Sequence, residues 1–281
     1  MAGPNQVVFI LGNPLKHSLS PAMQNAAFRK VHLPWVYAPL EVSAGQLSST
    51  LEMMKVLNIR GANVTVPFKE IILKHLDGVE PEARWLGSVN TLYRKGNKFQ
   101  GTSTDGEGFL RSLGLLRKKL KGSTGLIIGA GGAAKAVAGA LARSSVKGFC
   151  VANRSASHAT RLLKTIRQRY PRLESSALSY RESEKFLPRC DWVVQATSLG
   201  LKKGDPSPLS LKAAKSTAFV AELIYHHETN FLREAKRRRL GRLNGIGMLL
   251  HQGALSFERW TGKRAPLEVM RRVLLECLSS R

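Results

Sequence analysis

The chain has 281 residues, 43% of them hydrophobic, which is enough apolar material for one large core or two smaller ones. Length and composition therefore exclude a disordered tail and a mini-protein, and we expect two linked domains. The 44 lysines and arginines outnumber the 19 aspartates and glutamates, and the resulting net charge of +25 excludes an acidic solvating protein and makes contact with polyanions worth testing.

The cysteines and the apolar runs bear on the cellular compartment. Cys150, Cys190 and Cys277 are too few and too scattered for a disulfide framework or a zinc cluster, so we interpret them as core thiols in a reducing compartment. The apolar run at residues 7–11 is too short for a signal peptide and lacks a basic leader. No stretch approaches the roughly 18 apolar residues of a membrane span. We expect a soluble, cytoplasmic protein with no membrane contact.

The first half of the chain alternates short apolar runs with helical patterns, which is typical of α/β proteins. Ser20 and Pro21 predict a helix start in which the serine is the N-cap and the proline takes the first helical position. The predicted strands are residues 7–11, 35–41 and 61–66, and the predicted helices are residues 21–30, 44–57 and 106–116.

The chain leaves the first unit near Asp105, where we place the change of domain, and the second half repeats this alternation after a basic run at residues 117–121. Strands alternating with helices predict a parallel, doubly wound sheet. The predicted strands are residues 126–128, 148–152, 191–196 and 218–224, and the predicted helices include residues 156–170, 247–260 and 266–278.

Glycines and alanines at residues 129–134 directly follow a short apolar strand and open a helix. In that setting glycines let the backbone approach a pyrophosphate, and the free N–H groups of the helix terminus attract it, so nucleotide binding is favoured over a plain tight turn. Asn153, Arg154 and Ser155 stand where an NAD-binding fold usually has an acidic residue. A guanidinium and a hydroxyl suit a 2′-phosphate and favour NADP. The alternative is that Arg154 is an ordinary surface arginine.

Lys69 and Asp105 are candidates for proton transfer. Each alone has a plainer interpretation, since most lysines of a basic protein are solvated and an aspartate before a helix usually caps it. Together they predict an acid/base unit in which the carboxylate orients the ammonium and hydrogen-bonds a substrate hydroxyl.

Several motifs, in this order along the chain, resemble those of the shikimate dehydrogenase family. The resemblance runs from Val8 to the C-terminus. The motifs are residues 12–21, 63–69, 87–91, 104–106, 129–134 and 153–155, with closing elements at Tyr225, 245–254 and 260–262.

This resemblance implies a fold and an activity. Family members reduce 3-dehydroshikimate to shikimate with NADPH, a step of the shikimate pathway to chorismate and the aromatic amino acids. The implied architecture is an N-terminal α/β substrate domain at residues 1–104, completed by C-terminal helices at 246–281, and a Rossmann-like, doubly wound NADP-binding domain at 105–245. The implied partner is the small-molecule substrate, and we expect a monomer or homodimer.

The resemblance also assigns residue roles. Lys69 is implied as general acid in reduction and general base in oxidation, with Asp105 holding the reacting oxygen and the lysine in register. The implied substrate contacts are Ser18, Ser20 and Tyr225 at the carboxylate, and Thr65, Asn90 and Gln252 at the ring hydroxyls. The implied cofactor contacts are Gly129, Ala130, Gly131, Gly132, Ala133, Asn153, Arg154, Ser155, Leu223 and Gly245.

Some positions depart from the family pattern. Gln24 stands where the family commonly has histidine and leaves open a quinate/shikimate dehydrogenase that uses NAD or NADP. Glu222 replaces the usual aspartate before Tyr225, and the proline of that loop is absent. His226 and His227 lack a third ligand at a suitable spacing, so we expect no metal.

The basic runs at residues 117–121 and 236–239 raise a second class of function, contact with nucleic acid or another polyanion. No aromatic-interleaved stripe or recognition motif accompanies them, so a solvated basic surface without specific nucleic-acid binding is favoured. A catalytically silent, polyanion-binding homologue is a further alternative, which the intact Lys69 and Asp105 disfavour.

Overall fold

The computed structural model describes residues 6–279; residues 1–5 and 280–281, the outer ends of the predicted substrate domain, lie outside that range. The chain forms two compact units. One comprises the chain up to Gly108 together with Leu249 onward, and the other comprises Phe109–Met248. The predicted domain limits at residues 104 and 245 fall a few residues before these boundaries.

Strands and helices alternate along both units. The strands are β1 (Gln6–Gly12), β2 (Trp35–Glu41), β3 (Gly61–Val64), β4 (Gly78–Val79), β5 (Thr91–Lys95), β6 (Lys98–Thr102), β7 (Thr124–Ile128), β8 (Gly148–Ala152), β9 (Glu174–Leu178), β10 (Trp192–Gln195), β11 (Phe219–Glu222) and β12 (Gly241–Leu243). The α-helices are α1 (Ser20–Lys30), α2 (Leu47–Val56), α3 (Pro81–Leu86), α4 (Asp105–Ser112), α5 (Gly132–Arg143), α6 (Ala156–Arg169), α7 (Tyr180–Phe186), α8 (Asn230–Arg237), α9 (Ile246–Thr261) and α10 (Leu267–Ser279). The 3₁₀-helices are Ala44–Gln46, Ile71–His75, Gly114–Leu120 and Leu187–Arg189.

The first unit is built on a mixed sheet with the strand order β2-β1-β3-β5-β6-β4. β1 pairs in parallel with β2 and β3, whereas β5 runs antiparallel to both β3 and β6. The carboxyl ends of β1, β3 and β6 and the amino end of β5 therefore meet at one edge of the sheet. Buried apolar side chains fix this register, among them Leu11, Val64, Phe68, Leu92 and Phe99.

The second unit is built on a wholly parallel sheet with the order β12-β11-β10-β7-β8-β9. The chain starts in the middle at β7, proceeds outward through β8 and β9, and returns to lay β10, β11 and β12 on the other side. The central strands are buried along their length, as parallel strands covered on both faces are. The predicted α/β class with a Rossmann-like, doubly wound second sheet is confirmed.

Several predicted elements need shorter bounds. The predicted strand 61–66 ends at Val64, because the chain turns where the Phe68 N–H donates to the Thr65 carbonyl. The predicted helix 44–57 begins as a 3₁₀ turn, and the predicted helix 106–116 ends at Ser112. Gly114, the first residue of the 3₁₀-helix that follows α4, has a φ of +52°, a left-handed conformation that does not continue an α-helix.

The prediction of Ser20 as an N-cap is wrong. Ser20 is already helical, Leu19 is the N-cap residue, and no side chain caps α1. The Oγ atom of Ser18 instead accepts a hydrogen bond from the Ser20 N–H at 3.3 Å. The serine two residues earlier thus satisfies the donor, because its short side chain folds back onto the backbone before the helix.

Two of the three cysteines match the prediction of core thiols. Cys150 and Cys190 are buried, and burial raises the pKa of both, that of Cys190 to about 12, whereas Cys277 is half-buried on α10. Across residues 6–279, no helix has the length and apolar character needed to cross a membrane.

Candidate active site

Lys69 and Asp105 form a close ion pair in the first unit. The Nζ atom of Lys69 lies 2.6 Å from Oδ2 of Asp105, with 16% of the lysine side chain and 4% of the aspartate side chain exposed. A buried carboxylate needs hydrogen bonds to offset its lost hydration, and the ammonium supplies the one to Oδ2. The two groups predicted to act together are therefore in direct contact.

The order of strands explains why these two residues meet. Lys69 follows β3 by a few residues, and Asp105 is the first residue of α4, soon after β6. Both strands present their carboxyl ends at the same edge of the sheet. The Val89 N–H donates to the Lys69 carbonyl at 2.8 Å, so the loop that carries the lysine is tied to the segment before β5.

Asn90 connects this pair to the rest of the site. Its Nδ2 donates to Oδ1 of Asp105 at 2.9 Å and to Oε1 of Gln252 at 3.2 Å. Its Oδ1 accepts from the Thr104 N–H at 2.8 Å and from the Thr91 hydroxyl at 3.0 Å. Each Asp105 oxygen thus has its own donor, and Lys69, Asp105, Asn90 and Gln252, all predicted from the sequence, form one hydrogen-bonded group.

A second layer of polar side chains beneath Asn90 was not predicted. Nδ2 of Asn63 donates to Oγ1 of Thr91 at 3.1 Å and to Oγ of Ser256 at 3.0 Å, and the Tyr37 hydroxyl donates to Oδ1 of Asn63 at 2.8 Å. These four residues are 0–6% exposed. Two sequence signals could have revealed them: an asparagine inside an otherwise apolar strand, and a serine one helical turn after Gln252.

The other predicted substrate contacts lie in loops at the same edge of the sheet. Ser18 follows β1 and is half-buried, and Ser20 is 6% exposed in the first turn of α1. Thr65 directly follows β3, and its N–H donates to the carbonyl of Leu11 at 2.9 Å. These loops place hydroxyl groups at the edge of the sheet where β1 and β3 end, a set suited to a small polyhydroxylated acid.

Gln24 has a structural role here. It is fully buried in α1, and its Nε2 donates to the carbonyl of Gly253 at 2.8 Å, which joins α1 to α9 one residue beyond Gln252. The residue that departs from the family pattern therefore packs against the helix that carries a predicted substrate contact.

The glycine loop of the second unit has the geometry of an anion cradle. Gly129 has a φ of +111°, which favours glycine, and its N–H donates to the carbonyl of Ala152 at 2.8 Å. Gly131 is the N-cap of α5, no side chain caps the helix there, and a Cβ on Gly131 would meet no heavy atom within 4 Å. The start of α5 therefore has open space beside Gly131, which fits the pyrophosphate of a dinucleotide.

The segment after β8 lies beside this loop, because β8 pairs with β7. Asn153 donates to the carbonyl of Ser155 at 3.0 Å, and Ser155 is the N-cap of α6 without a side-chain cap. The Arg154 side chain is exposed. A guanidinium beside an uncapped helix N-terminus fits a phosphate group.

The segments after β11 and β12 carry the remaining predicted contacts. A Cβ at Gly245 would overlap the carbonyl group of Leu223, so this close approach requires glycine. Tyr225 is half-buried and packs against His226, with ring centroids 4.0 Å apart. Glu222, at the end of β11, is 1% exposed, and the Thr229 hydroxyl donates to its Oε2 at 2.6 Å. Burial raises the pKa of Glu222 to about 7.

His226 and His227 are adjacent and half-buried after β11. Within residues 6–279, histidine, cysteine, aspartate and glutamate side chains form no group of three or more that could hold a metal ion.

Three family models match successive parts of the chain. The shikimate dehydrogenase substrate binding domain matches residues 10–92, shikimate / quinate 5-dehydrogenase matches residues 114–201, and the shikimate 5′-dehydrogenase C-terminal domain matches residues 245–275. A curated relative, shikimate dehydrogenase (NADP(+)) of Desulforamulus reducens, is 41% identical over 283 residues, covering 97% of this chain and 95% of that protein. The chain belongs to the shikimate dehydrogenase family.

Solved structures of this family extend the likeness to the whole fold. Shikimate dehydrogenase from Aquifex aeolicus superimposes with a TM-score of 0.90 at 35% identity, over 98% of this chain and 99% of that one. Shikimate 5-dehydrogenase from Thermus thermophilus, solved in complex with NADP(H) and shikimate, gives a TM-score of 0.87 at 34% identity, over 97% of this chain and 100% of that one. The polar groups of the first unit and the glycine loop of the second therefore lie on a shikimate dehydrogenase scaffold.

Proposed function

We propose that this chain catalyses the reversible, NADP-dependent interconversion of 3-dehydroshikimate and shikimate. The observation that carries the proposal is the ion pair of Lys69 and Asp105 at 2.6 Å, set in a hydroxyl-lined edge of a shikimate dehydrogenase scaffold. An ammonium held by a buried carboxylate is a proton donor fixed in place, which is what reduction of a carbonyl requires. Relatives named as NADP(+)-dependent support the choice of cofactor.

Lys69 moves the proton in this proposal. In reduction its ammonium donates to the carbonyl oxygen that becomes the hydroxyl, and in oxidation the neutral amine takes that proton back. Asp105 keeps the Nζ atom in position and accepts a hydrogen bond from the reacting hydroxyl. Because both Asp105 oxygens already have donors in Lys69 and Asn90, the carboxylate is held against rotation before substrate arrives.

The surrounding hydroxyl and amide groups orient the substrate. Asn90 and Gln252 share a hydrogen bond at 3.2 Å, so their side chains can meet neighbouring ring hydroxyls together. Thr65, in the loop between β3 and Lys69, would supply a third polar group. Ser18 and Ser20 supply two adjacent hydroxyls at the start of α1 for the substrate carboxylate.

NADPH, when bound, supplies the hydride. The N–H groups around Gly131 at the start of α5 would hold its pyrophosphate, since a helix N-terminus attracts an anion and there is open space beside Gly131. Asn153, Arg154 and Ser155 would hold the 2′-phosphate, with the Arg154 guanidinium providing the charge. Leu223 and Gly245 would lie along the nicotinamide. The absence of a side chain at Gly245 lets the Leu223 carbonyl group lie close to the Gly245 backbone.

Absorbance at 340 nm tests the proposal. Purified protein is offered shikimate or quinate, each with NADP⁺ or NAD⁺, and the Lys69→Ala variant purified in the same way controls for a contaminating dehydrogenase. We expect turnover with shikimate and NADP⁺. Comparable turnover with quinate or NAD⁺ would move the chain to a quinate/shikimate dehydrogenase and make Gln24 the residue to explain. No change in absorbance in any of the four mixtures, with protein that is folded, would refute the proposal.

A further inference from the structure

A line of buried hydrogen bonds leads from β2 to the ion pair. It begins at Tyr37, which is 1% exposed, and passes through Asn63, Thr91 and Asn90 to Asp105. Each link measures between 2.8 and 3.1 Å. None of the first three residues is among the predicted substrate contacts.

Hydrogen-bonding chemistry limits which atoms in this line can donate and which can accept. A phenol facing an amide oxygen must donate, so the Tyr37 hydroxyl fixes Oδ1 of Asn63 as acceptor and turns Nδ2 toward Thr91. The Thr91 hydroxyl accepts from Nδ2 of Asn63, and its single proton is shared between Oδ1 of Asn90 at 3.0 Å and Oγ of Ser256 at 2.8 Å. The amide of Asn90 then presents Nδ2 to Asp105.

The free-energy cost of burying these polar side chains indicates that the line serves to orient the side chains beside the ion pair. Buried polar side chains cost free energy unless every one is satisfied, and apolar side chains of the same shape could fill the space between the sheet and α9 without that cost. Ser256 on α9 completes the set by accepting from Asn63 at 3.0 Å and donating to the carbonyl of Gln252 at 3.0 Å. The network thus holds the Asn90 amide, which borders the ion pair, and ties it to the backbone of α9 at Gln252.

We infer that Tyr37 and Asn63 are positioning residues for the Lys69 and Asp105 pair. They act through Thr91 and through the Asn90 carbonyl, which accepts from Nδ2 of Asn63 at 3.0 Å, and together with the Thr104 N–H they hold the Asn90 amide in its orientation. The kinetic consequence of this inference rests on the proposed function. Its structural consequence, an Asn90 amide held in one orientation, does not.

Tyr37→Phe is the test, because it removes one hydroxyl and keeps the ring that packs 5.9 Å from the Trp260 ring. Tyr93→Phe is the matched control, since the Tyr93 hydroxyl also donates to one side-chain oxygen, that of Glu80 at 2.8 Å, on the same sheet but outside the line. We expect kcat to fall about tenfold in Tyr37→Phe, the equivalent of one hydrogen bond, with the KM for NADP⁺ unchanged. Tyr93→Phe should stay within twofold of the unmodified enzyme.

Nuclear magnetic resonance separates this inference from the proposed function. The side-chain amide protons of Asn90 should exchange with solvent slowly in the unmodified protein and in Tyr93→Phe, and faster in Tyr37→Phe. If the unmodified protein turns over and the two variants have the same kcat, the inference is wrong and the proposed function stands. If the unmodified protein has no activity, the proposed function is wrong, and the exchange rates decide the inference: equal rates in both variants overturn it.

Discussion

Glu222 should make the stability of the second unit depend on pH. The carboxyl group is 1% exposed at the end of β11, where Thr229 donates to Oε2 at 2.6 Å and Gln195 donates to Oε1 at 3.5 Å. Burial raises its pKa from the usual 4.5 to about 7, and these two donors offset the shift in part. Glu222→Gln keeps the shape of the side chain and removes the titration.

The direction of the pH dependence follows from whether the folded or the unfolded state loses the Glu222 proton at the lower pH. The unfolded chain releases the Glu222 proton near pH 4.5, whereas the folded chain holds it to about pH 7, so ionisation favours unfolding increasingly as the pH rises between these values. The difference between the two pKa values corresponds to about 3 kcal/mol in the free energy of unfolding, since one pKa unit is about 1.4 kcal/mol. The contribution is fully present below pH 4.5, is lost as the pH rises toward 7, and changes little above that.

Urea unfolding at pH 5 and pH 8 measures the effect. Between these values we expect the free energy of unfolding of Glu222→Gln to rise by about 2 to 3 kcal/mol relative to the unmodified protein. Glu228→Gln, an exposed change of the same charge in the same loop, is the control and should follow the unmodified protein. Parallel pH dependence of Glu222→Gln and the unmodified protein would refute the reasoning.

Three further substitutions test the site. Lys69→Ala should lower kcat about 10²- to 10⁴-fold, with the Kd for NADP⁺ unchanged in a fluorescence titration, and activity within tenfold would remove the lysine from its role. Arg154→Ala should weaken NADP⁺ far more than NAD⁺, while Arg161→Ala, on the exposed side of α6, should change neither; equal weakening of both cofactors would contradict the 2′-phosphate assignment. Gly245→Ala should lower the melting temperature, because its Cβ would overlap the carbonyl group of Leu223, and an unchanged melting temperature would count against that contact.

Local patterns predicted the elements that carry the glycine loop. The loop at Gly129 was predictable because strand, turn and helix follow one another within a few residues, and its left-handed φ of +111° calls for glycine. Strands at residues 35–41 and 148–152 have the predicted bounds. The start of α1 was misjudged, since local sequence does not reveal which of two nearby serines folds back onto the backbone.

Residues distant along the chain show what tertiary structure added. Lys69 and Asp105 were plausible partners from the sequence, but their separation of 2.6 Å depends on the antiparallel β5 that places the ends of β3 and β6 at one edge. The hydrogen bond between Asn63 and Ser256 joins residues 193 positions apart along the chain, and the residues of the second unit lie between them in the sequence. The sequence by itself determined the fold class, the glycine loop and the candidate proton donor, because these depend on short-range patterns. Tertiary structure decided which polar side chains support that donor, because the order of strands and the return of α9 bring those side chains together.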